Sequence, residues 1–98
     1  MVTGIVPPLA ISLFHWEDFA AAINGGALLP AWQALLAART EIEARSHHLN
    51  DDQRLRLANA DAIVRKSFVP LLHKLGLYDY YSTLREKQER MKWWYFLD

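Results

Sequence analysis

The chain has 98 residues, 52% hydrophobic and 12% aromatic, enough for one folded domain with its own core, which excludes a disordered tail protein. Its 11 basic and 11 acidic residues cancel, which argues against a surface that is basic throughout, as nucleic-acid binders often carry. With no cysteine there are no disulfides, no thiol nucleophile and no cysteine-type zinc site, a composition that suits a reducing, cytoplasmic setting.

The neutrality is uneven along the chain. Residues 1–53 hold two bases and six acids, a net −4, residues 54–97 hold nine bases and four acids, a net +5, and Asp98 closes the sum. Either the second half binds an anion or the two halves attract each other on packing, and the second is the simpler expectation.

Residues 1–11, with Gly4, Pro7 and Pro8, read as an extended lead-in whose Ile5, Val6, Leu9 and Ile11 lie against the body. The first Lys or Arg is Arg39, so the basic start of a secretory leader is missing. A first helix is predicted over 14–24. Ser12 is its candidate cap, Glu17 and Asp18 lie in early turns, Trp16, Phe19, Ala20 and Ile23 recur at helical spacing, and Gly25 stops it. The uncharged run 19–38 has the length of a membrane span, but Asn24-Gly25-Gly26 and Pro30 interrupt any helix there, so no span is expected.

A second helix is predicted over 30–48, opening near Pro30, with a stripe of Ala31, Leu35, Ala38, Ile42 and Leu49 flanked by Trp32 and Leu36. Glu41 and Arg45 have the spacing of an outward i,i+4 pair. The first half is apolar nearly all round, which predicts a central place in the bundle or a subunit interface.

Asn50-Asp51-Asp52-Gln53 combines an N-cap residue, two first-turn acids and a Gln at the capping-box position. It opens a third helix over 51–75, with Leu57, Ala60, Val64, Phe68 and Leu71 inward, Leu55 and Ile63 beside them, and Arg54, Asp61, Arg65 and Lys66 outward. Pro70 is expected to bend or break it before Gly76. A last helix over 78–95 would align Tyr81, Leu84, Met91 and Tyr95. No strand alternation of useful length appears, so the predicted fold is all-α, a compact bundle of four to five helices in a single domain, 1–98.

No residue set assembles a catalytic or metal-binding pattern. Adjacent His47 and His48 would diverge by about 100° on a helix. The better-spaced combinations, Glu43 with His47 and His48 with Asp52, each supply only two ligands, and no H-E-x-x-H motif is present. None of Ser12, Ser46, Ser67 and Ser82 stands in a nucleophile turn, capping already accounts for Asp51 and Asp52, and Gly25-Gly26 lacks a phosphate-binding pattern. The expectation is a protein without catalysis, metal or cofactor.

The terminus is the unusual feature. Trp93, Trp94, Tyr95 and Phe96 follow one another, and on a helix four consecutive side chains sweep most of the circle and cannot all face one core. Trp94 and Tyr95 extend the Leu84–Met91 stripe and are expected to be the better buried pair, with Trp93 or Phe96 turned to a homodimer or another protein. Arg90 and Lys92 interleave with the rings and complete the predicted partner-binding set. The sequence thus points to a small non-catalytic interaction protein, an accessory subunit, adaptor or inhibitor with an aromatic helical surface. The alternative it leaves is a helical nucleic-acid binder using the basic second half.

Overall fold

The computed structural model describes residues 8–97, and these form four α-helices and three 3₁₀ turns with no strand among them. The predicted all-α bundle is therefore the fold. Helix α1 is Leu9–Asn24, α2 Trp32–Ala44, α3 Asp51–Leu75 and α4 Tyr78–Thr83. Glu17 meets Arg56, Trp16 meets Asp61 and Phe19 meets Phe68, so α1 and α3 run in the same direction, and α1 packs against both α3 and the returning α2. Leu13, Trp16, Phe19, Leu36, Ile42, Val64, Phe68, Leu72 and Tyr81 are fully enclosed. Of the predicted core, Phe19, Ile23, Ile42, Leu57, Val64 and Phe68 are buried, while Leu35 and Leu84 are half-buried at its edge.

The start of α1 differs from the prediction. Ile5 and Val6 lie outside the described residues, but Leu9–Ile11 are helical, because the Pro8 carbonyl accepts the Ile11 and Ser12 N–H groups at 3.0 and 3.1 Å and proline's fixed φ suits a helix entry. Ser12 is consequently a buried residue inside the helix, not its cap. At the other end Gly26, with φ +84°, takes the left-handed conformation expected of Gly25, whose φ is −84°.

The buried face of α2 is Trp32, Leu36, Arg39 and Ile42, rotated by one residue from the predicted stripe. Turning Trp32 and Leu36 inward removes more apolar surface from water than Ala31 and Leu35 would. The outward positions are then Ala34 and Ala37, small enough that an apolar helix can face solvent at little cost. After α2 the chain tightens into a 3₁₀ turn, Ser46–His48, where the two imidazoles approach with centroids 4.0 Å apart instead of diverging as on an α-helix.

Helix α3 begins as its sequence dictates. Asn50 Oδ1 accepts the Gln53 N–H at 2.8 Å and Gln53 Oε1 accepts the Asn50 N–H at 3.0 Å, a complete capping box. Pro70 neither bends α3 into two elements nor ends it; Val69, Leu71 and Leu72 around it are all buried and hold the turn in place. Gly76 closes the helix with φ +72°.

The predicted last helix over 78–95 does not form. α4 stops at Thr83, a 3₁₀ turn spans Leu84–Lys87, and a second one spans Trp93–Tyr95 after an irregular stretch. Ser82 and Thr83 donate to the carbonyls of Asp79 and Tyr80 at 2.7 and 2.6 Å. The six residues between Leu84 and Met91 contain no apolar side chain with which a continued helix could dock, whereas folding back buries Trp94 and Tyr95.

Candidate functional site

The C-terminal segment 84–97 forms a strap that lies across α2, α3 and α4, and its inner and outer sides have different chemistry. Beneath it lies an ion pair from the two bundle helices. Arg39, only 4% exposed, donates from Nε and Nη2 to both oxygens of Asp61, at 3.0 and 2.9 Å, and from Nη1 to Glu43 Oε1 at 2.9 Å. Asp61, 16% exposed, also accepts the indole N–H of Trp16 at 2.9 Å. This fork satisfies both partners in a dry place, the condition under which a buried charge is tolerated. Asp61, predicted to point outward, is thus a buried-face residue.

The strap stacks on these cations. The Arg39 guanidinium carbon is 4.8 Å from the Trp94 ring centroid, and that of Arg65 is 3.7 Å from Trp93. Trp94 Nε1 donates to Thr40 Oγ1 at 3.2 Å. Tyr81, fully buried, donates its hydroxyl to the Trp94 carbonyl at 2.7 Å and accepts the Leu97 N–H at 3.1 Å. Arg85 donates to the Tyr95 carbonyl at 2.7 Å and also to the Leu97 carbonyl. Burial pushes the phenols of Tyr81 and Tyr95 above their ordinary pKa.

The predicted partner-binding residues therefore divide. Trp94 and Tyr95 are buried, Trp93, Phe96 and Lys92 are half-buried, and Arg90 is exposed with its guanidinium 5.9 Å from the Phe96 ring centroid. The geometric reason given for sending rings outward, a helix, does not apply to this irregular backbone. Neighbouring Met91 is 80% exposed, the most exposed large apolar side chain among the described residues. It borders a largely apolar cleft of about 210 Å³ between α2 and the strap, lined by Thr40, Glu43, Ala44, Met91, Lys92 and Trp94.

Three cations of the basic half are engaged within the molecule, while Arg54, Lys66, Lys74 and Lys87 are exposed. Arg56 forks onto Glu17, with Nε 3.1 Å from Oε2, and is held charged by that hydrogen bond; Arg65 stacks on Trp93 and Arg85 ties down the strap. The Glu41–Arg45 pair does not form among the described residues; Arg39–Glu43 and Asp52–Arg56 take that spacing, and Arg45 Nε and Nη2 are buried without a hydrogen-bond partner. No group of three or more His, Asp or Glu among the described residues is placed to hold a metal, and no helix there is long and apolar enough to cross a membrane.

Sequence reasoning missed Arg39, Thr40, Asp61, Tyr81 and Arg85 as members of this assembly. The signal for the central pair was present: Arg39 follows Trp32 by seven and Leu36 by three, and Asp61 follows Leu57 by four and precedes Val64 by three. One charge on each of two apolar faces predicts that they meet. No family model, curated protein or solved structure matches the chain.

Proposed function

We propose that this is a small non-catalytic interaction protein that docks another protein on the outer side of its C-terminal strap. The observation that carries the reading is Met91, 80% exposed beside the apolar cleft that Trp94 floors. An unbranched thioether at a rim adapts to different apolar surfaces at low cost, which is why methionine recurs in binding sites. Arg90 and Lys92 flank it in the chain with charge, and Lys92 and Trp94 line the cleft with it. A buried, fully engaged scaffold beneath an apolar rim is the arrangement expected of an anchor site.

Affinity capture with purified protein, comparing the unaltered chain with Met91→Asp, tests the reading. The expected result is a partner protein, or a second copy of the chain, that is enriched by the first and lost with the second while the fold is unchanged. Anisotropy with labelled DNA and RNA at low salt is the contrasting arm. Tight binding that falls steeply with salt, with no protein partner sensitive to Met91, would replace this reading with the nucleic-acid one.

A further inference from the structure

The cleft beside Met91 has a definite size and an uneven charge, and together they specify what fills it. At about 210 Å³ it is smaller than the roughly 300–1,000 Å³ of sites that enclose whole small-molecule ligands. It exceeds the roughly 150 Å³ in which an apolar cavity accepts benzene. One aliphatic or aromatic side chain is the matching occupant. The floor and walls, Trp94, Ala44 and Thr40, are largely apolar, and Met91 can close over the guest.

The rim distinguishes one end of that guest from the other. Asp61 takes two of the three donating groups of Arg39 and Glu43 one, so Glu43, 57% exposed, is engaged through Oε1 alone. The opposite charge on the lining is Lys92, whose Nζ donates to Gln88 at 3.3 Å. We propose that the cleft takes an apolar side chain of a partner peptide that carries a Lys or Arg next to it, directed to Glu43. This inference rests on the interaction reading above and adds the chemistry of the partner's anchor.

The test uses the full chain as bait for a random-peptide phage library, followed by titration of labelled synthetic copies of the enriched peptides. Enriched peptides should share an apolar residue beside a Lys or Arg. Ala44→Trp, which fills the cleft from an exposed position at the end of α2, should weaken them about ten-fold or more. Met91→Asp, remote from the core, should do the same, so a folding defect in either variant leaves the other to decide; circular dichroism monitors both. Glu43→Gln should weaken the basic peptides while leaving copies with Gln in place of the base unaffected. Peptides lost with Met91→Asp but indifferent to Ala44→Trp would overturn the cleft assignment and leave docking on the strap standing, whereas peptides indifferent to both would overturn both. An enriched set without basic residues, or no enrichment at all, would also overturn the proposed anchor, whereas failure of the broader reading would appear separately as a Met91-independent capture result.

Discussion

The three-helix body and the strap reach stability by different routes. In α1–α3 the backbone satisfies itself and the side chains supply an apolar face; in 84–97 the backbone closes only short turns of its own, and the side chains of Tyr81 and Arg85 hold carbonyls that those turns leave over. Tyr81 and Arg85 hold the carbonyls of Trp94, Tyr95 and Leu97, and Arg39 and Arg65 offer planar cations to Trp94 and Trp93. The difference teaches that a run of aromatics can be turned inward by leaving the helix. Once φ and ψ vary from residue to residue, consecutive rings no longer obey a 100° step.

The largest effect should come from removing the strap's inner layer. A chain ending at Lys92 loses Trp94 and Tyr95 from the core and both backbone acceptors of Arg85, and should lose most helical signal in circular dichroism or unfold cooperatively well below the full chain. A truncated chain with intact helices would show that the strap is incidental to the fold. Next is the pair under the strap. Asp61→Ala leaves the buried Arg39 with only the exposed Glu43 and should cost about 3–5 kcal/mol in denaturant unfolding, whereas Glu17→Gln at the more exposed Arg56 pair should cost far less. Equal costs would show that depth does not separate the two forks.

Tyr81→Phe removes one hydroxyl that serves two backbone groups of the strap and should cost about 1–3 kcal/mol. It also has a pH signature. Because burial raises the native pKa of Tyr81 and Tyr95, the unfolded chain releases these protons first; their contribution is intact below about pH 10 and is lost as pH rises through the raised native values. The alkaline decline should be shallower in Tyr81→Phe. The smallest effect belongs to the body's own end: Asn50→Ala should cost about 1 kcal/mol through the capping box and leave the strap undisturbed.

The same contrast explains what could be read in the sequence. Asn50 to Gln53 and Gly76 bracket α3 because capping and left-handed φ are local chemistry, and Leu57, Ala60, Val64, Phe68 and Leu71 repeat at a period with one solution. For α2, stripes one residue apart were both apolar, and only the partner surfaces decided that Trp32 and Arg39 face inward. For the terminus, Leu84, Met91 and Tyr95 fit a helical stripe, yet the gap between Leu84 and Met91 has nothing to dock, and the bonds from Tyr81 and Arg85 that fold the chain back span 10 to 16 residues. Arg90, Lys92 and the four rings were legible as a cluster, and so was the deeper burial of Trp94 and Tyr95, whereas the irregular backbone that achieves it was not.

Native-state hydrogen exchange tests most directly whether the strap belongs to the same cooperative structure as the bundle. The Leu97 N–H, bonded to the Tyr81 hydroxyl at 3.1 Å, and the Phe96 N–H, bonded to the Trp93 carbonyl at 2.9 Å, should open with the same free energy as the amides of Val64 and Phe68 in α3. Exchange of Leu97 and Phe96 at the rate of an unstructured peptide, with α3 still protected, would contradict the account.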